Sequence, residues 1–263
     1  MKLGILGKKV GMTRVFDKFG REIPVTVIQA GPCTITQVKS KDKDGYSAIQ
    51  IGFDEGKAKN TSKAMQKHFE KVSSKPLRFV RELRVDSTEG LEQGAVVTVA
   101  NFLKGDFVDV SSVGKGRGFQ GVVKRHKFSG GESAHGSKFG REPASIGQSA
   151  TPSRVIKGKK LPGQMGNKRI TVQNLKVMSV DRENQLIALR GAVPGADGTY
   201  VEIRAALKKK LGGQDRKWVL GLEALKEAAP DVPDQEEATY EHAVSAQKLS
   251  IAKVGAKIAA KKK

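Results

Sequence analysis

Thirteen lysines and arginines lie between residues 114 and 170 of this 263-residue chain, separated mainly by glycine, serine and proline. Only two acidic residues, Glu132 and Glu142, accompany them. Such side chains neutralise phosphate groups, because arginine clamps phosphate oxygens or stacks on bases and lysine supplies a point charge. The predicted phosphate-binding cations are Lys115, Arg117, Lys124, Arg125, Lys127, Lys138, Arg141, Arg154, Lys157, Lys159, Lys160, Lys168 and Arg169.

Aromatic and histidine side chains lie within the same basic stretch. Phe119, Phe128 and Phe139 are each as well suited to anchoring the segment on a folded body as to stacking on a base. His126 and His135 lie in basic sequence, where an imidazole donates to phosphate or stacks on a base. The four histidines of the chain show no metal-ligand spacing, so no metal site is expected.

Glycines recur through the stretch, and three of them match the dinucleotide-binding pattern G-x-G-x-x-G. That pattern requires a helix that opens at the third glycine and directs its N-terminus at a pyrophosphate. The segment that follows stops at Gly130 after about two helical turns, so a dinucleotide site is not expected. The absence of a Cβ instead lets the backbone lie close against a partner. The glycines expected in this role are Gly114, Gly116, Gly118, Gly121, Gly147, Gly158, Gly163 and Gly166.

No arrangement typical of an enzyme active site is apparent elsewhere. Cys33 follows Gly31 and Pro32 in a strand context, which favours a buried, inert thiol over a nucleophile. The serines between 111 and 153 lack the histidine and acidic partners that activate a hydroxyl. An RNA-modifying enzyme with the basic stretch as its substrate arm would need a cofactor pocket, and the glycine pattern is the only candidate. Neither catalysis nor a bound cofactor or small-molecule substrate is therefore expected.

A second group of cations opens the chain. Lys8, Lys9 and Arg14 lie in the segment 7–14, where two glycines frame two lysines and predict a basic turn. Such a turn either contacts phosphate or is a plain hairpin with exposed lysines, and the residues favour neither interpretation. All three cations are retained as candidate RNA contacts.

The whole chain is strongly basic, with 48 Lys and Arg against 27 Asp and Glu and a net charge of +21. More than half of this excess, +11, lies between residues 114 and 170. Such a distribution indicates a polyanionic partner. The apolar runs are far shorter than the ~20 residues of a membrane-spanning helix, and the N-terminus lacks the apolar core of a secretory signal. The expected location is the cytoplasm, with no membrane contact.

Alternating, β-branched segments predict a mainly β fold. Residues 60–72 predict a helix with apolar side chains at Met65, Phe69 and Val72, behind a cap at Asn60 or Thr61. About eight short strands with one helical insertion fit a closed or nearly closed antiparallel barrel. Strands are expected at 25–30, 34–39, 46–53, 75–85, 95–100, 106–113, 170–181, 185–191 and 199–207.

The basic stretch divides this barrel in sequence. Residues 114–167 show neither strand nor helix periodicity and hold too few large aliphatic side chains to cover a core, so they predict a long loop ordered by a partner. The barrel is expected from 1–113 and 168–210, with the helical insertion at about 55–75. Residues 211–263, acidic and then rich in Lys and Ala, predict a disordered or partly helical appendage, or an added RNA contact through its terminal lysines.

Several segments between Met1 and about Leu207 resemble a known family, the bacterial-type large-subunit ribosomal protein L-three family. The resemblance is specific because the segments follow the family's order and spacing. They are MKLGILGKKVGMTRVFD, DVSSVGKGRGFQGVVKRHKF, HGS, SIGQ, KGKKLPGQMGNKRITVQNL and LRGAVPG.

The resemblance implies a β-barrel of the translation-protein type at the subunit surface and an extension, about 114–167, buried in large-subunit rRNA. The tip of this extension, 145–152, would approach the peptidyl-transferase centre, where the chemistry belongs to RNA. Gln148, Gln164 and Asn167 match family motifs and join the cations as expected RNA contacts.

The implied role is a structural constituent that binds rRNA directly, nucleates subunit assembly and supports the peptidyl-transferase centre. The implied partners are large-subunit rRNA and ribosomal proteins of the L-fourteen and L-nineteen families, with Mg²⁺ only as an rRNA counterion. The ribosome would lie in the cytoplasm or in an organelle of bacterial descent.

The sequence departs from the family at the tip. Ala150 stands where many bacterial relatives carry a glutamine that is methylated in some, so this modification is not expected. Gly140 and Ala144 replace a usual histidine and glycine and alter the local geometry. The alternative to a ribosomal role is a nucleoid-type non-specific DNA-binding protein, although the sequence lacks a helix-turn-helix and a dimerising helix.

Overall fold

A computed structural model describes residues 4–17, 19–72, 74–209, 218 and 220–221. Over those residues the chain forms twelve strands and three short helices. The strands are β1 Gly4–Phe16, β2 Glu22–Ala30, β3 Cys33–Lys39, β4 Ala48–Glu55, β5 Leu77–Arg84, β6 Val96–Val97, β7 Phe107–Val113, β8 Gly118–Gln120, β9 Gly163–Met165, β10 Arg169–Asp181, β11 Leu186–Arg190 and β12 Tyr200–Ala205. The helices are α1 Lys41–Asp44, α2 Lys63–Glu70 and α3 Val122–His126, with 3₁₀ turns at Ala58–Asn60 and Val99–Asn101.

Six strands close an antiparallel barrel in the order β1-β12-β7-β10-β11-β2. The register places Ile5 opposite Ile203 and Ile203 opposite Val110, so these three side chains of neighbouring strands point to the same side of the sheet. All three are fully buried and belong to the hydrophobic core. The predicted mainly β fold with a barrel is confirmed.

Four strands form a second sheet in the order β5-β4-β3-β6, outside the barrel. The prediction of about eight strands in one barrel is therefore wrong, because alternation identifies a strand but not its neighbours. Tyr200 of β12 joins the two sheets: its ring stacks on Phe79 with centroids 4.8 Å apart, and its hydroxyl donates to Asp54 Oδ2 at 2.6 Å. The strand predicted at 95–100 is shortened to β6, after which the chain turns into 3₁₀ geometry.

The predicted helix between 60 and 72 is present as α2, which buries Phe69. Its N-cap is Ser62, whose Oγ accepts a hydrogen bond from Met65 N at 3.5 Å. The predicted caps at Asn60 and Thr61 are wrong, because a 3₁₀ turn takes up the residues before the helix and Ser62 is the next residue able to cap.

The chemistry-bearing residues of the folded body are structural. Cys33 is fully buried, and burial raises the pKa of its thiol to about 12, so the predicted inert thiol is confirmed. Within the described part of the chain, no cluster of three or more His, Cys, Asp or Glu side chains is placed to hold a metal ion. None of the helices described there is both long enough and apolar enough to cross a membrane.

The C-terminal extension meets the second sheet at one described point. Leu220 forms an antiparallel bridge with Val97, and Gly221 N donates to Val96 O at 2.9 Å. Trp218 and Leu220 pack against the hydrophobic core. The rest of the predicted appendage at 211–263, including its terminal lysines, lies outside the described residues.

Candidate nucleic-acid interface

The basic stretch leaves the barrel along a backbone ladder. The last residue of β7, Val113, pairs with the first residue of β10, Arg169. Beyond that pair, Gly114 N donates to Lys168 O at 2.9 Å, and β8 then pairs with β9. This ladder, from the Gly114–Lys168 pair to the β8–β9 pair, is called the neck below. It holds both ends of the stretch side by side. The prediction of a loop without strand or helix is therefore wrong for these ends, because β8, α3 and β9 are too short to show a period in the sequence.

Helix α3 lies at the outer end of the neck and ties its two chains together. Val122, the first residue of α3, is fully buried. Arg125 Nη1 donates to Leu161 O at 2.6 Å, and His126 Nε2 lies 3.2 Å from the same oxygen. Two of the predicted RNA contacts therefore also hold the returning chain in place, and both remain partly exposed. Phe128 packs near His126, with ring centroids 6.1 Å apart.

Residues 129–160, called the outer loop below, contain no helix or strand. All of them are exposed except three that are partly exposed. Apolar side chains are exposed as well: Phe139 is 63% and Ile156 64% exposed, and Phe119 on the neck reaches 75%. The outer loop therefore buries none of its side chains, and it has no hydrophobic core of its own.

The predicted RNA contacts of the outer loop are all exposed. The tip, 145–152, contains no buried residue, and the one side-chain hydrogen bond given for it runs from Ser145 Oγ to Gly147 O at 3.0 Å. The exposed contacts in this loop are His135, Lys138, Arg141, Gln148, Arg154, Lys157, Lys159 and Lys160. The exposed contacts on the neck and at α3 are Lys115, Arg117, Lys124, Lys127, Gln164, Asn167 and Lys168.

The cations of the basic stretch differ from those of the folded body in their ionic partners. On the body, Arg14 pairs with Glu22 at 3.3 Å and Lys39 with Glu82 at 2.6 Å. Among the described residues, twelve of the thirteen cations between 114 and 170 have no carboxylate within ion-pair distance. The exception is Arg169, which pairs with a glutamate of β12. Like charges concentrated in one exposed segment repel one another until an anion neutralises them.

The opening cations are placed differently from the prediction. Residues 7–14 lie within β1, with a bulge between Lys9 and Gly11, so the predicted basic turn is wrong. Lys9 is buried, and its ammonium donates to Val193 O at 3.2 Å and Gly195 O at 3.1 Å. Burial directs this predicted RNA contact to carbonyls of the chain itself. Lys8 is partly exposed and Arg14 exposed.

The predicted close-approach glycines divide into two groups. At Gly114, Gly163 and Gly166 a Cβ would collide with atoms of the chain itself, so close approach occurs within the neck. At the other five positions a Cβ would meet nothing nearer than 3.6 Å. These open positions are Gly116, Gly118, Gly121, Gly147 and Gly158.

The structure adds three arginines that the sequence did not single out. Arg81 and Arg84 of β5 and Arg204 of β12 lie near Arg169, at the end of the neck nearest the barrel, which is called the foot of the neck below. The sequence shows arginines at outward positions of predicted strands, but it does not show which of those strands lie side by side. The cluster could therefore not be predicted.

Replacing Gly166 by alanine is expected to weaken RNA binding about tenfold, a free-energy change of ~1.4 kcal/mol. Gly166 has φ +72°, and a Cβ there would lie 2.2 Å from Lys115 O on the opposite chain of the neck. The left-handed conformation alone costs a residue with a Cβ ~1–2 kcal/mol, and the collision separates the two chains. RNA affinity and thermal unfolding should be measured together, and the barrel transition should be retained.

The matched control is Gly45→Ala, outside the basic stretch, which has φ +80° but no atom within 4 Å of the added Cβ. Its RNA affinity should equal that of the unmodified protein. A Gly166→Ala variant with unchanged affinity would show that the geometry of the neck has no part in binding.

Comparison with known proteins gives a consistent result. Residues 82–188 match a family model described as Ribosomal protein L3, a range that contains the neck and the outer loop. Large ribosomal subunit protein uL3 of Pelobacter propionicus is 50% identical over 208 residues, which are 79% of this chain and 100% of the relative. The protein of that name from Petrotoga mobilis is 52% identical over 207 residues, covering 79% and 97%. The one from Synechococcus sp. is 51% identical over 208 residues, covering 79% and 95%.

Proposed function

Because the chain belongs to the ribosomal protein L3 family, we propose that it binds large-subunit rRNA directly through the neck and the outer loop. The family is structural and non-enzymatic, so the protein is a structural constituent of the large ribosomal subunit, alongside rRNA and other ribosomal proteins. Its relatives are ribosomal proteins of bacteria, whose ribosomes lie in the cytoplasm.

The observation that carries the proposal is the coincidence of unpaired charge and uncovered surface in one segment. Twelve cations without a carboxylate partner among the described residues share that segment with exposed Phe119, Phe139 and Ile156. RNA matches both features, since phosphates neutralise the cations and bases cover aromatic and aliphatic side chains. A small anion would satisfy only the charge.

The mechanism is electrostatic assistance to RNA packing. Where rRNA helices converge, their phosphates repel, and cationic side chains between them offset that repulsion while releasing condensed counterions. The neck fixes where the loop leaves the barrel, so the entropy lost on binding is confined largely to the outer loop. Mg²⁺ acts here only as a counterion of the RNA, and no cofactor takes part.

The tip, residues 145–152, would lie near the peptidyl-transferase centre. Its side chains, including Gln148, are exposed and carry no charge, which suits close packing into a crowded RNA pocket. Peptide-bond chemistry belongs to the RNA, so the tip supports the geometry of the centre and supplies no reacting group. Ala150 in this segment offers no amide for methylation.

Early binding in assembly follows from the difference between the folded body and the outer loop. The barrel and second sheet share one apolar core and require no RNA to bury it. A prefolded body can therefore bind nascent rRNA and nucleate subunit assembly while the outer loop orders on the RNA. Ribosomal proteins of the L-fourteen and L-nineteen families are the proposed neighbours of the body.

Sedimentation tests the proposal against non-specific nucleic-acid binding. Lysate containing tagged full-length protein is run on gradients at low and high salt with Mg²⁺ held constant. Co-sedimentation with the large subunit through high salt is expected, because a protein enclosed by folded rRNA does not exchange like a reversible phosphate binder. Direct binding to deproteinised large-subunit rRNA should also weaken steeply as salt is added. The logarithm of the binding constant should fall with the logarithm of the salt concentration, with a slope of up to about 8 if all twelve unpaired cations contact phosphates.

The nucleoid alternative predicts the opposite pattern. Protein that sediments with DNA, or leaves every particle as the salt rises, would overturn the ribosomal assignment of the neck and outer loop. A matched gradient of lysate treated with DNase separates association with DNA from association with the subunit.

A further inference from the structure

A trough with four arginines in its walls lies at the foot of the neck, between the outer face of the barrel and β5. It consists of a cavity of about 460 Å³ and an adjoining one of about 140 Å³, which share Ser111 and Arg169. Arg84 and Arg204 line the larger cavity, and Arg81 lines the smaller one. These four arginines with their two cavities are called the arginine trough below.

Strand register creates the trough from three barrel strands. Ser111 of β7 lies opposite Thr171 of β10 on one side and Glu202 of β12 on the other. The hydroxyls of Ser111 and Thr171 are 2.7 Å apart. Arg204, two residues along β12, lies on the same face as Glu202. The outer face of the barrel at this point is therefore polar, and it faces the second sheet across the cavities.

Glu202 fixes two of the arginines without neutralising both. Its side chain is 4% exposed, and its carboxylate pairs with Arg169 and with Arg204. One carboxylate offsets one guanidinium, so this triad keeps a net positive charge. The arginine side chains are 56% and 43% exposed, which leaves N–H groups free to reach a ligand. A buried carboxylate that holds two arginines in place pre-orients them.

The other two arginines are held by aromatic rings, which orient a guanidinium but leave its charge. Arg81 lies over the ring of Phe79 at 5.0 Å, and Arg84 over Tyr46 at 5.3 Å. The second carboxylate of the trough, Asp109, is occupied by backbone donors. It accepts from Asn174 N at 2.8 Å and Leu207 N at 3.3 Å. Four guanidinium groups and two carboxylates therefore line the trough, and both carboxylates are engaged. A third carboxylate, Glu82, lies outside the two cavities and pairs with Lys39 at 2.6 Å. The hydrogen bond from Lys39 lowers the pKa of Glu82 most, and the charge of Arg84 helps to lower it.

We propose that the arginine trough binds phosphodiester groups of large-subunit rRNA, as a second RNA-binding site on the folded body. This inference rests on the proposed function and adds a site outside the neck and outer loop. Forked guanidinium groups match phosphate oxygens bidentately, and the Ser111–Thr171 hydroxyl pair offers a further donor.

Position favours RNA over a free anion as the source of the phosphate. Arg169 is at once the first residue of β10 and a wall of both cavities, and exposed Lys168 precedes it on the neck. An RNA strand that follows the neck toward the barrel therefore reaches the trough without a gap in positive charge. An acidic protein segment could pair with the same charge. Binding of such a segment would not explain why the positive charge continues from the neck into the trough.

The test uses the full-length double variant Arg81→Ala/Arg84→Ala, which leaves the pairs of Glu202 intact. Its affinity for deproteinised large-subunit rRNA is measured over a range of KCl concentrations at constant Mg²⁺. Loss of two phosphate contacts should make the log–log salt slope shallower by about 1.4 and weaken binding about tenfold at low salt. Thermal unfolding establishes that the variant is folded.

The matched control is Lys75→Ala/Arg78→Ala, which removes the same charge at and just before the start of β5, outside the trough. Its affinity and slope should stay close to those of the unmodified protein. Equal slopes and affinities for the unmodified protein and the trough variant, or equal losses in trough variant and control, would overturn the proposal.

A second readout avoids substitution. Arginine modification by phenylglyoxal, mapped by mass spectrometry, is compared for free protein, protein with rRNA and protein with inorganic phosphate. Protection of Arg84 and Arg204 by rRNA supports the site. Protection by inorganic phosphate combined with unchanged rRNA affinity of the trough variant would mean a small-anion site and overturn the RNA assignment. If the unmodified protein fails to bind rRNA at all, the proposed function itself fails, whereas normal binding by the trough variant removes only the trough.

Discussion

Replacement of residues 115–168 by a short Gly/Ser link should abolish salt-resistant association with the large subunit and greatly weaken rRNA binding, while the barrel stays folded. The exchange removes twelve cations, all but one of those in the basic stretch. With ~0.7 units of salt slope per phosphate contact, the loss of even half of them lowers the slope by about 4 and the affinity at least a thousandfold near 0.1 M salt. The affinity of the linked variant for rRNA measures this directly.

The folded body should survive the exchange because the neck begins at a closed backbone ladder. Val113 pairs with Arg169, and both residues remain in the variant, so a short link from Gly114 to Arg169 joins adjacent chain ends. The segment removed buries only Val122 among its side chains. The thermal transition of the linked variant should therefore remain cooperative.

The control is the same link placed in the exposed turn that contains Lys41–Asp44, a helix with no buried residue. That variant should bind rRNA as the unmodified protein does. Co-sedimentation of the 115–168 variant with the large subunit through high salt would contradict the assignment of RNA binding to the neck and outer loop.

The second large effect is expected from one substitution made at two phenylalanines. Phe102 is fully buried in the common core, and Phe119 on the neck is 75% exposed. Phe102→Ala should lower the free energy of unfolding by ~3–5 kcal/mol, through lost burial and the cavity that remains. Phe119→Ala should leave that free energy within ~0.5 kcal/mol of its original value, as exposed substitutions do.

RNA binding should respond in the opposite way. Stacking of a base on an aromatic side chain contributes ~1–3 kcal/mol, so Phe119→Ala should weaken rRNA affinity about tenfold to a hundredfold. Phe102→Ala, measured well below its unfolding temperature, should bind normally because its side chain lies in the core. Chemical denaturation and rRNA titration of both variants check the pair. A destabilised Phe119→Ala protein with normal rRNA affinity would make Phe119 an anchor of the neck.

Two aspects of the interface could be predicted from the sequence, because one depends on composition and the other on the local alternation of residues. Thirteen cations with two acidic residues cannot cover a core, so an exposed, partner-seeking segment follows from residue types alone. The strands on both sides of that segment follow from alternation, and the structure has them as β7 and β10. The role of each phenylalanine could not be predicted, because exposure depends on what lies opposite in space.

The positions that differed from expectation all depend on contacts between distant parts of the chain. The sequence predicts Lys9 as a cation able to contact RNA. The structure buries it, because its ammonium donates to carbonyls of residues 193 and 195, far away in the sequence. The sequence predicts the strands of the second sheet as part of the barrel. Alternation shows which side of a strand is apolar, but it does not show which strand lies beside it.

The sequence alone therefore determined the strongly basic character of the protein, its strand-rich body, the lack of helices and strands in residues 129–160 and the family that it resembles. Tertiary structure alone decided which six strands close the barrel, which cations remain exposed, and the gathering of Arg81, Arg84, Arg169 and Arg204 into one trough. The physical reason is that charge and periodicity are local properties of a chain. Burial, ion pairing and the neighbours of a strand are set by pairings between residues far apart in sequence, here as distant as β1 and β12.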